Sequence, residues 1–195
     1  MDLRKLKTIL RDLGNIWLIV GVVTFSTVLI AAYFHEMRSL KVMVFLTALF
    51  IYLGTLARIV TRDAKPPETK DAMLIAALSW LSIAILSSIP FILVLGFSPL
   101  DGVFEAMSGW TGTGLTVTPD SSQIPRTMQF WRSLTQWVGG VGVIVLMVSV
   151  LTRPGTGTHK LYRSEARSEK IHPSVMSTVR TIWWIFLGFS IVSVV

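Results

Sequence analysis

Residues 98–151 read SPLDGVFEAMSGWTGTGLTVTPDSSQIPRTMQFWRSLTQWVGGVGVIVLMVSVL, and the placement of this stretch decides the fold. Ser98 can cap free backbone N–H groups, Pro99 suits the first helical position and Asp101 suits the positive end of a helix. The helix predicted from Leu100 to Trp110 has about 11 residues and rises roughly 16 Å, which reaches the middle of a bilayer without crossing it. There the sequence turns to Thr111-Gly112-Thr113-Gly114-Leu115-Thr116, uncharged and poorly suited to a helix. Non-helical backbone at that depth survives only inside protein or along a cavity. Glycine at every second position lets successive carbonyls turn inward, where they can replace the water shell of an alkali cation. The preceding helix points its negative end at the same place. These residues suggest a re-entrant pore loop for a monovalent cation. A discontinuous transporter helix and a plain turn between two membrane helices are the alternatives.

Composition agrees with a membrane location. Of 195 residues, 52% are hydrophobic and only 15% charged, which is too apolar for a soluble domain and suits a multi-span chain. The formal charge of +7 comes without a compact basic patch interleaved with aromatics, so nucleic acid is not expected as a partner. With no cysteine there can be no disulfide, iron–sulfur site or thiol nucleophile. No acid, base and nucleophile or metal set is arranged for catalysis, so the chain does not read as an enzyme.

Outward from the central stretch, the predicted architecture is all-α. A first span covers Leu13 to Phe34, after a basic start with Arg4, Lys5, Lys7 and Arg11; its length argues for a retained helix over a cleaved signal peptide. A second span, Leu40 to Ala57, is slightly short, with Lys41 and Arg58 able to snorkel from its ends. The third runs from Ala72 to Gly96 with a kink expected at Pro90, and the fourth from Phe130 to Leu151. Between them, Asp120-Ser121-Ser122 suits a turn. Gly139, Gly140 and Gly142 are expected to bring the fourth span close to the pore segment, and Gln136 to hydrogen-bond near it. The segment with Arg153, Lys160, Arg163, Arg167 and Lys170 reads as a basic connector. Its GTGTH string at Gly155 to His159 lacks the pattern of a nucleotide loop, and His159 and His172 read as solvent-side residues. A last apolar run from Thr181 to Val195 is too short to cross and reads as an incomplete helix. The divisions expected are a hairpin at 1–62, a pore repeat at 63–152, a connector at 153–180 and the partial helix at 181–195.

Charge sets the orientation. All of the 18 Lys and Arg residues except Arg38, Lys41, Arg126 and Arg132 fall in 1–12, 58–71 and 152–180. By the positive-inside rule these segments and the N-terminus are cytoplasmic, and the loop after Trp110 must turn back toward the outer face. Glu105, one turn before TGTG, either faces the entrance and concentrates cations or serves structure, by pairing with Arg126 or Arg132 or by capping a network.

FEAMSGWTGTGLTV at Phe104 to Val117 and FWRSLTQWVGGVGVIVL at Phe130 to Leu146 resemble the TrkH subunits of the Trk/Ktr/HKT potassium transporter family, over most of the chain. The resemblance implies a leading helix pair followed by repeats of membrane helix, pore helix and membrane helix around a pseudo-fourfold pore. Residues 13–57 correspond to the pair and 72–151 to the first repeat, so this chain would supply one of four quarter-sites. The family's filter glycine falls on Gly114, where glycine goes with potassium and serine with sodium; Gly112 stands where many relatives have threonine. The implied ligands of the transported K+ are the backbone carbonyls of Thr111, Gly112, Thr113 and Gly114, with no resident cofactor. The implied partners are membrane lipid, the remaining pore repeats, a second copy of the full-length subunit and a TrkA-type cytoplasmic regulatory subunit. A non-conducting membrane adaptor that keeps the pore-like segment is the rival function.

Overall fold

The computed structural model describes residues 3–62, 69–118, 120–151 and 175–194. Secondary structure among them is entirely helical: α1 (Leu3–Tyr33), α2 (Met37–Val60), α3 (Thr69–Ser87), α4 (Ile89–Leu95), α5 (Pro99–Trp110), a 3-10 turn (Ser121–Gln123), α6 (Arg126–Leu151) and α7 (Val175–Val194). Residues 153–174 of the basic connector lie outside the described residues, and 175–180 belong to α7. Two compact units divide within α6, Met1–Gln136 and Trp137–Val195.

In the first unit α1 and α2 form the expected hairpin, but both helices are longer than their apolar runs. Leu, Arg and Lys are good helix formers and nothing before Leu13 breaks the pattern, so α1 starts at Leu3. Its early turns are not free: Ile9 and Leu13 are buried with Ile75 of α3, and Ile16, Trp17 and Leu78 pack around them. Trp17 Nε1 also donates to Ser82 Oγ at 3.0 Å. Helix α2 has 24 residues, about 36 Å, which removes the expected shortness. Within the hairpin, Gly14 and Gly54 face each other. A Cβ built on Gly54 would lie 2.8 Å from the Gly14 carbonyl, and one on Gly14 would lie 2.7 Å from Ala57 Cβ. This backbone approach replaces the hydrophobic drive that helices lack in lipid.

The third span breaks where proline requires it. Pro90 has no N–H to offer the carbonyl of Leu86, and the α3 assignment ends at Ser87, while the Ser88 hydroxyl turns back to the Ile85 carbonyl at 2.7 Å. Helix α4 then ends on Gly96, left-handed at φ 76°, whose N–H returns to the Ile92 carbonyl at 3.1 Å. Lys5–Tyr33, Met37–Val60 and Met73–Leu95 are long and apolar enough to cross a membrane, and their outward residues fit that solvent: Ile19, Val22, Leu29, Val44, Tyr52 and Leu81 are all exposed. Some buried hydroxyls on these helices bond to their own backbone, as Thr24 does to Val20 at 2.7 Å and Ser79 to Ile75 at 2.6 Å, whereas those of Thr27, Thr47 and Ser87 make no hydrogen bond among the described residues.

In the second unit the C-terminal part of α6 meets α7. Trp137 Nε1 donates to Ser190 Oγ at 2.8 Å, and its ring lies 5.3 Å from Trp183 and 5.8 Å from Phe186. Helix α7 has 20 residues and starts at Val175, ahead of the expected Thr181. A Cβ on Gly140 would meet the Phe186 ring at 3.5 Å, and one on Gly142 would meet nothing within 4 Å.

Replacing Gly54 with valine should push α1 and α2 apart and cost about 1–3 kcal/mol. Tryptophan-fluorescence melting of the protein in detergent reads this as a lower midpoint; an unchanged midpoint would mean that the two backbones do not touch.

Candidate functional site

Helix α5 is built as its sequence dictates. Ser98 Oγ accepts the Asp101 N–H at 3.2 Å and donates to Asp101 Oδ2 at 2.6 Å, with Pro99 in the first turn. Twelve residues rise about 18 Å before the helix stops at Trp110. Two features hold its far end at that depth. Trp80 Nε1, from the middle of α3, donates to the Trp110 carbonyl at 3.0 Å. Gly109 lies so close to α6 that an added Cβ would strike Thr135 Oγ1 and come within 3.1 Å of Thr135 Cβ. A glycine on α5 thus makes a close approach between this helix and the first part of α6. Behind it, the Trp110 and Trp131 rings meet edge to face at 6.3 Å.

The last carbonyls of a helix have no partner within it and must find one elsewhere. Here each one does. Met107 O accepts from Thr111 N at 2.9 Å and from Thr111 Oγ1 at 2.8 Å, Ser108 O from Thr113 N at 3.0 Å, Gly109 O from Gly112 N at 2.9 Å, and Trp110 O from Trp80. Beyond the loop, Leu115 O accepts from Ser108 Oγ at 2.6 Å. The four carbonyls between, those of Thr111, Gly112, Thr113 and Gly114, accept no hydrogen bond from any described residue. Gly112 and Gly114 are left-handed, at φ 67° and 77°, while Thr111 is at −93°. Alternation of handedness turns successive peptide planes so that their oxygens can line one side, and only glycine takes the left-handed positions without strain. Residues 112–117 are exposed, whereas Trp110 and Thr118 on either side are buried.

The chain then runs back along α5. Ser108 holds Leu115, and Glu105, one turn nearer the helix start, holds the next three residues. Its Oε1 accepts from the Thr116 hydroxyl, from Val117 N at 2.7 Å, from Thr118 N at 3.2 Å and from the Thr118 hydroxyl at 3.3 Å; Oε2 accepts from Arg132 Nε of α6 at 3.1 Å. Partner numbers fall on α5 as they rise on the returning segment, so the loop re-enters toward the end it came from. Glu105 is 3% exposed, and a charge that deep persists only when paired and hydrogen-bonded. Of the two roles open to Glu105, the structure selects pairing, and of the two arginines it selects Arg132. Arg126 lies instead over the Phe34 ring, 5.0 Å from its centre. Gln136 makes no side-chain hydrogen bond among the described residues; the adjacent Thr135 makes the contact with α5. Sequence reasoning missed Trp80, Ser108 and Thr116. Only Glu105, an acid beyond the first turn of a short apolar helix, signalled that a network had to exist.

Truncating Glu105 to alanine removes the acceptor of Arg132 and of four backbone or hydroxyl donors, so stability should fall by about 3–5 kcal/mol, and by less in Glu105→Gln, which keeps one acceptor. Thermal unfolding of the two variants side by side checks the order; equal midpoints would contradict the network.

A family model described as TrkH, cation transport protein, matches residues 39–195. A cation transporter of Methanocaldococcus jannaschii is 37% identical over 194 residues, covering 98% of this chain and 40% of the relative. The Trk system potassium uptake protein TrkH of Halomonas elongata is 33% identical over 195 residues, covering 95% of this chain and again 40% of the relative. The crystal structure of the potassium transporter TrkH from Vibrio parahaemolyticus superposes with a TM-score of 0.77 at 25% identity, over 98% of this chain and 38% of that one. The chain thus spans about 40% of the length of the curated relatives it matches. Its membrane-length helices, its half-length helix with a re-entrant TGTG loop and these matches agree, and the chain belongs to the TrkH cation transport family.

Proposed function

We propose that this chain contributes one quarter-site of a Trk-type potassium pore, with the carbonyls of Thr111, Gly112, Thr113 and Gly114 taking the place of water around K+. One observation carries the reading: among the described residues, four consecutive carbonyls have no donor, and those of Trp110 and Leu115 on either side of them do. In an apolar medium such oxygens demand a partner, and a partly dehydrated cation is one that lipid cannot supply. The negative end of α5 adds to the attraction. Potassium is favoured over other cations because matched relatives are Trk system potassium uptake proteins. The ion is cargo, and no resident cofactor is part of the reading.

The remaining three quarter-sites belong to repeats beyond this stretch, and their packing would cover the exposed loop at 112–117. The clustering of Lys and Arg in 1–12, 58–71 and 152–180 supports a cytoplasmic N-terminus and entry to the loop from outside. A pair of complete subunits with a TrkA-type cytoplasmic regulator completes the assembly.

The test is uptake of Rb+ or K+ by liposomes containing the complete subunit. Gly114→Ser places an L side chain at φ 77°, which costs roughly 1–2 kcal/mol and should lower the preference for K+ over Na+ about tenfold. Unchanged selectivity would move the filter elsewhere. No uptake by the complete subunit would favour the non-conducting adaptor.

A further inference from the structure

The three residues between α1 and α2 connect the hairpin, and the charged residues there act on other helices. Glu36 stands at the N-cap of α2 yet makes no side-chain cap to it. Its carboxylate reaches a helix ninety residues away: Oε1 accepts Arg126 N–H at 2.8 Å and Oε2 accepts Thr127 N–H at 3.1 Å, the first free donors of α6. Arg38, in the first turn of α2, sends Nε and Nη2 to the carbonyl of Leu93, in the last turn of α4, at 3.1 and 2.7 Å. An anion thus sits at a helix start and a cation at a helix end, each matching the local dipole. Burial works against the charge on Glu36, but hydrogen bonding from Thr127 and Arg126 outweighs it and holds the carboxyl below its ordinary range. A cavity of about 590 Å³ lined by Glu36, Arg38, Gln123 and Arg126 opens over these contacts.

We propose that this link is a positioning element for the pore loop, holding the end of α4 and the start of α6 at a fixed separation. Both helices pack on α5: a Cβ on Gly102 would strike Ile92 of α4, and one on Gly109 would strike Thr135 of α6. The path onward is continuous: Glu36 fixes the first turn of α6, that helix carries Arg132 less than two turns later, Arg132 binds Glu105, and Glu105 holds residues 116–118, which follow the candidate carbonyls after Leu115. Glu36 and Arg38 touch no ion; they act through other residues. The leading hairpin, whose spans carry no charge in their apolar interiors, thereby sets the geometry of a loop it does not line.

The inference rests on the pore reading for its consequence but not for its geometry, and the experiment separates the two. Amide hydrogen exchange is followed in the complete, membrane-embedded subunit for wild type, Glu36→Ala, Glu36→Gln and Arg38→Ala, with Rb+ against Na+ uptake measured on the same preparations. Loss of the cap in Glu36→Ala should speed exchange roughly tenfold at residues 126–127. It should also speed exchange at 117–118 and reduce the Rb+ preference severalfold, with Glu36→Gln intermediate because one acceptor remains. Arg38→Ala should reproduce the effect at 117–118 without exposing 126–127. Faster exchange at 126–127 alone, with 117–118 protected in both alanine variants, would overturn the positioning role. Unchanged exchange everywhere would overturn the clamp itself. Wild-type protein that takes up no Rb+ would sink the pore reading, while the exchange data would still decide on the clamp.

Discussion

In hydrocarbon, a peptide group without a hydrogen-bond partner costs several kcal/mol, and a chain that leaves its helix halfway across must answer for every N–H and C=O it frees. The segment after Trp110 meets that demand at both of its ends. Carbonyls 107–110 are closed by the turn itself and by the Trp80 indole, and Leu115 is closed by Ser108. The N–H groups of Val117 and Thr118 end on Glu105. Among the described residues, the carbonyls of Thr111 to Gly114 are left without a donor, four in a row between the closed carbonyls of Trp110 and Leu115, as are those of Thr116 and Val117 further on. The atoms that the proposed function uses are among those left open, and they are neutral groups, which bind a cation without trapping it as a carboxylate would.

Glu105 makes this accounting possible at the depth where it occurs. Three successive residues need donors satisfied in a small volume, and a carboxylate accepts more bonds than an amide or hydroxyl can. The cost of burying it is offset by Arg132, itself only 15% exposed and held by α6. An acid this close to a candidate cation path looks at first like part of the path. Its oxygens are consumed by backbone and guanidinium instead, so it is a strut. The α5–α6 contact at Gly109 and Thr135 keeps strut and helix at one spacing.

The hairpin has a parallel logic at its linked end. Two helix termini are completed by side chains from a third element, so the leading helices are joined to the repeat by directional bonds as well as by apolar packing. In lipid, where apolar contact gives little drive for association, such polar bonds and the Gly14–Gly54 approach are what specify which helices pair.

Much of this was legible in the residues alone. The Ser98 cap, the break at Pro90, the stop at Trp110 and the turn at Asp120, whose carboxylate accepts Ser122 N–H at 2.9 Å, all depend on neighbours a few positions apart, and local rules placed them correctly. FEAMSGWTGTGLTV likewise pointed to the family, because its glycines and short helix carry their constraint within one stretch. Helix ends set from afar were not legible: α6 starts at Arg126, ahead of the apolar run at Phe130, because Glu36 caps it, and α1 reaches back to Leu3 through a basic segment anchored on Ile75. The partner of Glu105 and the residue that brings α5 against α6 were equally beyond reach. Hydropathy counts what a side chain avoids, whereas pairing between positions 11 to 91 residues apart depends on how the chain folds back, and only the tertiary structure supplies that.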